Sequence, residues 1–246
     1  MQRRTLLTLA TFPLAACTIQ RLPALQQQSM GLQSSLPAWK DPVIGQQWIY
    51  RVLNIYNSAE VDRIEETVSA LNPEVVLHRR SERHGELPDE NQSRWGQIRQ
   101  DPAWDRTQIY QQALPLWPDP LQPNSRISLH TRYQPLGASY SQWIAVQAHV
   151  TGFERIEVEG RVWETVRVER MIRMDHEDSS RLNYTRRDTL WISPQIGRWV
   201  VRETNGEYWL TGQRPTLYRE DHFRWVLERW RRSPSSAATK IATQAS

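Results

Sequence analysis

Between Gly160 and Leu210 the apolar residues keep a period of two, and few folds can absorb such a run. Val162, Val166, Val168 and Ile172 share one parity, while Arg161, Arg167, Glu169 and Arg173 take the other. That is the pattern of a half-buried strand and not of a helix. Arg187–Ser193 reads as the next strand. Pro194-Gln195-Ile196-Gly197 then supplies a residue that ends pairing and one that permits a turn. The chain re-enters as Arg198–Glu203 and reaches Asn205-Gly206, both tolerant of positive φ. This dipeptide predicts a type I′ hairpin turn, with Glu207–Leu210 returning beside Trp199–Glu203.

The N-terminus makes a different statement. Met1–Cys17 has a positive start at Arg3-Arg4, a short apolar run from Leu6 to Ala16 and small residues before a cysteine. This is the layout of an export signal, too short to span a bilayer. Leu14-Ala15-Ala16-Cys17 resembles the lipobox of bacterial lipoproteins. The resemblance implies that residues 1–16 are removed and that Cys17 is acylated as the new N-terminus. Cys17 is the only cysteine, so neither an intramolecular disulfide nor a cysteine metal site competes for it. Thr18 after the cysteine implies, by the same resemblance, sorting to the outer membrane on its periplasmic side. Arg3-Arg4-Thr5-Leu6-Leu7 also fits a twin-arginine signal, and the export route stays open. Residues 17–44 read as a lipidated cysteine and tether, rich in Gln, Ser, Leu and Pro.

A single β-rich domain is expected over residues 45–232. Its first strand, near Trp48, Tyr50 and Val52, has apolar residues on both parities and is expected to be covered on both faces. Glu60–Leu71, Glu74–Arg80, Arg126–Tyr133, Trp143–Val150 and Glu154–Val158 continue in strand. Residues 84–88 read as a charged loop. Leu114–Pro123, with four prolines, reads as an extended connector. Phe223, Val226, Leu227 and Trp230 fall at i, i+3, i+4 and i+7, which predicts an amphipathic helix over Tyr218–Arg232. The tail, residues 233–246, is small and polar and is expected to be disordered. The fold class is therefore mainly β, an antiparallel curved sheet forming a half-barrel or open barrel, with the C-terminal helix against one opening. Trp48, Trp143, Trp163, Trp191, Trp199 and Trp209 recur in well-separated strands and are candidates for an apolar lining.

The middle of the chain resembles a loosely defined group of uncharacterised periplasmic β-rich proteins and lipoproteins of Gram-negative bacteria. The match rests on Gly45, Trp48 and Tyr50, on the proline-rich bridge, on Val158, Gly160 and Val162, and on Trp191, Ser193, Pro194, Gly197 and Arg198. The resemblance brings no catalytic residues.

Chemistry is otherwise sparse. The histidines show no HxH, HxxxH or HExxH spacing, so no metal site is predicted. Glu65, Glu66, Asp188 and Glu203 sit in charged strand patterns and read as surface partners of arginine. No cofactor motif is present. The formal charge of +4 falls by two when Arg3 and Arg4 leave with the signal, and the basic residues are interleaved with acids, which is not a nucleic-acid footprint. The expectation is a membrane-anchored envelope lipoprotein with a non-catalytic domain that binds or scaffolds an envelope partner. The alternative is a carrier of a lipid or other apolar ligand.

Overall fold

The computed structural model describes residues 25–31, 36, 38–212, 214–220 and 222–232 of the 246-residue chain. The described residues form fourteen strands: β1 (Gln27–Met30), β2 (Gln47–Asn54), β3 (Glu60–Ala70), β4 (Val75–Ser81), β5 (Gly85–Arg94), β6 (Gln97–Asp101), β7 (Gln108–Pro115), β8 (Arg126–Pro135), β9 (Gln142–Val158), β10 (Arg161–Met174), β11 (Arg181–Ser193), β12 (Arg198–Leu210), β13 (Thr216–Arg219) and β14 (Phe223–Arg231). Every pairing is antiparallel. Twelve strands close on themselves in the order β9-β10-β11-β12-β14-β2-β3-β4-β5-β6-β7-β8, with β8 returning to β9; β1 pairs with the far half of β9, and β13 pairs with β12. The curved sheet expected as a half-barrel or open barrel is thus a closed barrel, whose closure removes the exposed edges of an open sheet.

The expected C-terminal helix is instead strand β14. Phe223, Trp225 and Leu227 oppose Asn54, Val52 and Tyr50, and a bulge at Glu228 then places Trp230 opposite Trp48. One inserted residue in a period of two gives apolar positions 223, 227 and 230, which mimic helical spacing. What decides between the two is pairing: β14 is the seam between β12 and β2, and a helix there would leave both edges bare.

Asn205-Gly206 is not a hairpin turn either. Both residues lie within β12, opposite Arg187 and Arg186 of β11. Glycine serves close approach there, because a Cβ on Gly206 would lie 2.9 Å from the Tyr184 hydroxyl and collide with the Glu220 carboxylate. The Pro194–Gly197 turn does join β11 to β12, and Gly197 has φ +69°.

Other differences are local. The charged loop expected over 84–88 is mostly the start of β5. The first strand β2 buries Trp48, Tyr50 and Val52 on one face while Ile49 and Arg51 remain half-buried. Part of the stretch read as tether is structured: Gln27–Met30 pair with β9, and Leu36 and Trp39 pack on the core. Cys17, the lipobox residues and the tail 233–246 lie outside the described residues.

One end of the barrel is filled. The Pro194–Gly197 turn is held by bonds from Gln46 Nε2 and Trp48 Nε1 to the Ile196 carbonyl (2.9 and 3.2 Å), from Trp95 Nε1 to the Gly197 carbonyl (2.9 Å), and from the Lys40 amide to the Pro194 carbonyl (3.1 Å). Each satisfies a backbone acceptor that burial would otherwise strand. Below this plug the interior holds Tyr50, whose hydroxyl donates to the Trp199 carbonyl at 3.0 Å, together with Leu77, Ile98, Leu114, Ile144 and Leu190.

Candidate ligand cavity

The opposite end is open and holds a cavity of about 650 Å³. Its floor is made by Arg186 of β11 and Arg202 of β12, its wall by Trp104, Tyr184 and Tyr208, and its rim includes Arg181, His176 and Glu220. Arg186, Tyr184 and Asp188 share one parity of β11 with buried Leu190, so the strand's inward face changes from apolar near the plug to charged near the mouth.

The floor is organised by Asp188, which is almost wholly buried. Three guanidiniums converge on it: Arg170 Nη1 at 3.0 Å and Arg202 Nη2 at 3.5 Å from Oδ2, and Arg186 Nε at 3.0 Å from Oδ1. Burial alone would raise the Asp188 pKa. The charges of Arg186, Arg202 and Arg170 overcome it and hold the carboxyl well below the usual carboxylate range. Burial also pulls Arg202 below the ordinary guanidinium value in spite of Asp188, and neighbouring Arg186 adds to the effect. Asp101, a further acid whose charge reaches Arg186 and Arg202, accepts from neutral donors: the Ala103 amide (2.9 Å), Trp104 Nε1 (3.0 Å) and the Tyr110 hydroxyl (3.1 Å).

Aromatic rings continue from floor to rim. The Arg186 guanidinium carbon lies 4.8 Å from the centroid of Trp104, Trp104 meets Tyr184 edge-on at 5.9 Å, and Tyr184 stacks on Tyr208 at 6.1 Å. The Tyr184 hydroxyl donates to Glu220 Oε2 at 2.5 Å, and burial followed by the Glu220 charge raises its pKa. Arg181 lies 3.5 Å from Glu220, from Asp105 and from Asp178. His176 accepts the Asp178 amide at Nδ1 (3.0 Å), and burial, then Arg181, lowers its pKa and favours the neutral ring.

A second buried ionic cluster lies toward the plugged end, where Glu66 and Glu90 face Arg198 and Arg79. Glu66 and Asp188, both expected on the surface, are therefore interior hubs, because they occupy the inward parity of β3 and β11. Glu65 and Glu203, on the outward parity, are half-buried. Among the described residues no group of three His, Cys, Asp or Glu side chains could hold a metal ion.

Of the six tryptophans expected to line a pocket, Trp48 and Trp199 meet at Arg198, and none of the six lines the cavity. Trp48 and Trp199 are core, Trp163 and Trp191 are buried with Trp191 Nε1 bonded to Glu154 Oε2 at 2.8 Å, and Trp143 and Trp209 are 41% and 42% exposed. Recurrence in separate strands does not fix which parity each ring takes. The floor arginines were missed, although an aspartate on the same parity as Tyr184 and Leu190 was a readable sign of a buried charge needing partners.

These residues define the class: a closed twelve-stranded antiparallel β-barrel, plugged at one end and open at the other over a charged floor. No protein-family model and no curated protein matches the chain. Among solved structures the chain is similar to the hypothetical lipoprotein YmcC from Escherichia coli (K12), at 11% identity over 76% of this chain and 85% of that one, with a TM-score of 0.42.

Proposed function

We propose that the chain is a lipid-anchored protein of the Gram-negative envelope, held through Cys17 to the periplasmic face of the outer membrane, whose barrel binds rather than catalyses. The observation that carries this reading is Leu14-Ala15-Ala16-Cys17 behind a short apolar run, in a chain with no other cysteine. The barrel supports a binding role, with a pre-formed cavity of about 650 Å³ within the range of small-molecule sites. Two of the acids at and beneath it are tied up, Glu220 by Tyr184 and Arg181 and Asp188 by three guanidiniums, an arrangement suited to holding a ligand. The charged floor speaks against a wholly apolar cargo, since burying those arginines under hydrocarbon would add to their desolvation.

The experiment is fractionation of cells producing the Cys17→Ala chain. The altered protein is expected in the soluble fraction while the native chain sediments with the outer membrane. Continued sedimentation of the altered chain would defeat the anchor.

A further inference from the structure

We propose that the floor of the open cavity is an anion site, seating a carboxylate or phosphate group of a ligand on Arg202 and Arg186. The inference rests on the binding role proposed for the barrel, and not on the anchor.

Three guanidiniums surround Asp188, and no other carboxylate lies within ion-pair distance of Arg170 or Arg202 among the described residues. Even with buried Asp101, whose charge reaches Arg186 and Arg202 from beyond ion-pair distance, three cations face two acids, an excess of positive charge in a buried place. Such an imbalance is costly unless an anion completes it. Arg202 is more than nine-tenths buried and lines the cavity, yet its Nε has no hydrogen-bond acceptor. Arg170 likewise keeps Nε and Nη2 without acceptors behind it. The other buried cluster also leaves guanidinium nitrogens without acceptors, on Arg198 and Arg79, but differs in charge: there two carboxylates, Glu66 and Glu90, face two guanidiniums, and the formal charges balance. The excess is confined to the cluster beneath the mouth.

The chemistry fits an oxyanion. Arginine presents N–H groups in a planar fork that matches carboxylate and phosphate oxygens, and a guanidinium remains charged even when burial lowers its pKa. Asp188 holds Arg186 and Arg202 side by side. The geometry that restrains the two cations in the absence of ligand is also the geometry that would receive one, so little ordering is needed on binding. Above the floor, Trp104 and Tyr184 offer flat apolar surface to whatever body carries the acid.

The test is calorimetric titration of the purified full chain, in non-ionic detergent, with inorganic phosphate and separately with phenyl phosphate, against chloride at matched ionic strength. Saturable heat with a phosphate probe and none with chloride is expected. Arg202→Gln should weaken the affinity by about tenfold or more, the scale of one hydrogen bond to a charged group. Arg202→Lys, which keeps the charge, should fall between the two. Phenyl phosphate binding more tightly than phosphate would assign the site to the acidic end of a larger molecule lying along Trp104 and Tyr184. Equal affinities would assign it to a small free anion. The proposal is overturned if neither phosphate gives saturable heat with the native chain, or if Arg202→Gln, shown folded by its near-ultraviolet circular dichroism, binds as the native chain does. Neither of those results depends on where Cys17 places the protein.

Discussion

Arg198 Nε lies 2.7 Å from Glu66 Oε2 inside the barrel, with both side chains almost completely removed from solvent. The guanidinium also rests 3.8 Å from the Trp199 ring centroid, and its Nη2 is 3.6 Å from Glu90. Burial opposes its charge, yet Glu66 and Glu90 raise its pKa above the ordinary guanidinium value. Replacing Arg198 by methionine keeps much of the volume and leaves two buried carboxylates short of a partner. Arg198→Met is expected to destabilise the barrel by about 3–5 kcal/mol. Urea midpoints of the two chains check this, and a midpoint unchanged by the substitution would remove the cluster from the account of stability.

Glu90 gives the same cluster a pH dependence. Burial, opposed by Arg198 and reinforced by Glu66, raises its pKa. A carboxyl with a raised folded-state pKa holds its proton better folded than unfolded, so it costs stability progressively as pH rises from the ordinary glutamate value of about 4.3 through the folded one. Glu90→Gln removes that cost. The stability difference between Glu90→Gln and the native chain should therefore shift in favour of glutamine as the pH rises above about 4. Asp188 has the opposite sign: its depressed pKa stabilises above about pH 4, and the contribution is lost as pH falls below that. Denaturation curves on both chains, begun well below about pH 4 and continued to neutral pH, separate the two effects.

Strand β14 joins β12 to β2. Ending the chain before Thr216 removes β13 and β14 and leaves two unpaired edges with the apolar face of β2 uncovered. The truncated chain is expected to lose cooperative unfolding and to aggregate rather than to melt a few degrees lower. Calorimetry is decisive, and a sharp transition in the truncated chain would show that the barrel does not need its seam.

Gly206 admits Tyr184 and Glu220 to the same spot. Gly206→Ala should cost about 1–3 kcal/mol, the scale of overpacking. In a Glu220→Ala background part of that cost should vanish, since one of the two colliding groups is gone. Thermal denaturation of the four chains in the cycle measures it, and strict additivity would mean that Glu220 is not what the new methyl group meets.

Much of the architecture is legible in the alternation of apolar residues, because a strand buried on one face must repeat every two positions. The sequence reading fails where a local signal is overruled by pairing. Asn205-Gly206 has the backbone freedom of a turn, but Arg187 and Arg186 extend the ladder past it. Phe223, Leu227 and Trp230 have helical spacing only because Glu228 is a bulge. The candidate site was hidden for a different reason. Arg186 and Arg202 look like the outer face of a strand until the register shows that they alternate with it. Charge on an inward parity is visible only once the parity is known, and an acidic residue among Tyr184, Leu190 and Ile192 was the one clue available.

The seam between β14 and β2 also sets an order of events. Residues 47–54 are made well before residues 223–231, and each is the other's neighbour in the sheet. Until β14 has left the ribosome, β2 and β12 cannot be bridged, and the nascent chain carries an open sheet whatever else has paired. The circumference of the barrel is thus completed only when β14 arrives, and its formation is governed by contacts between distant parts of the chain.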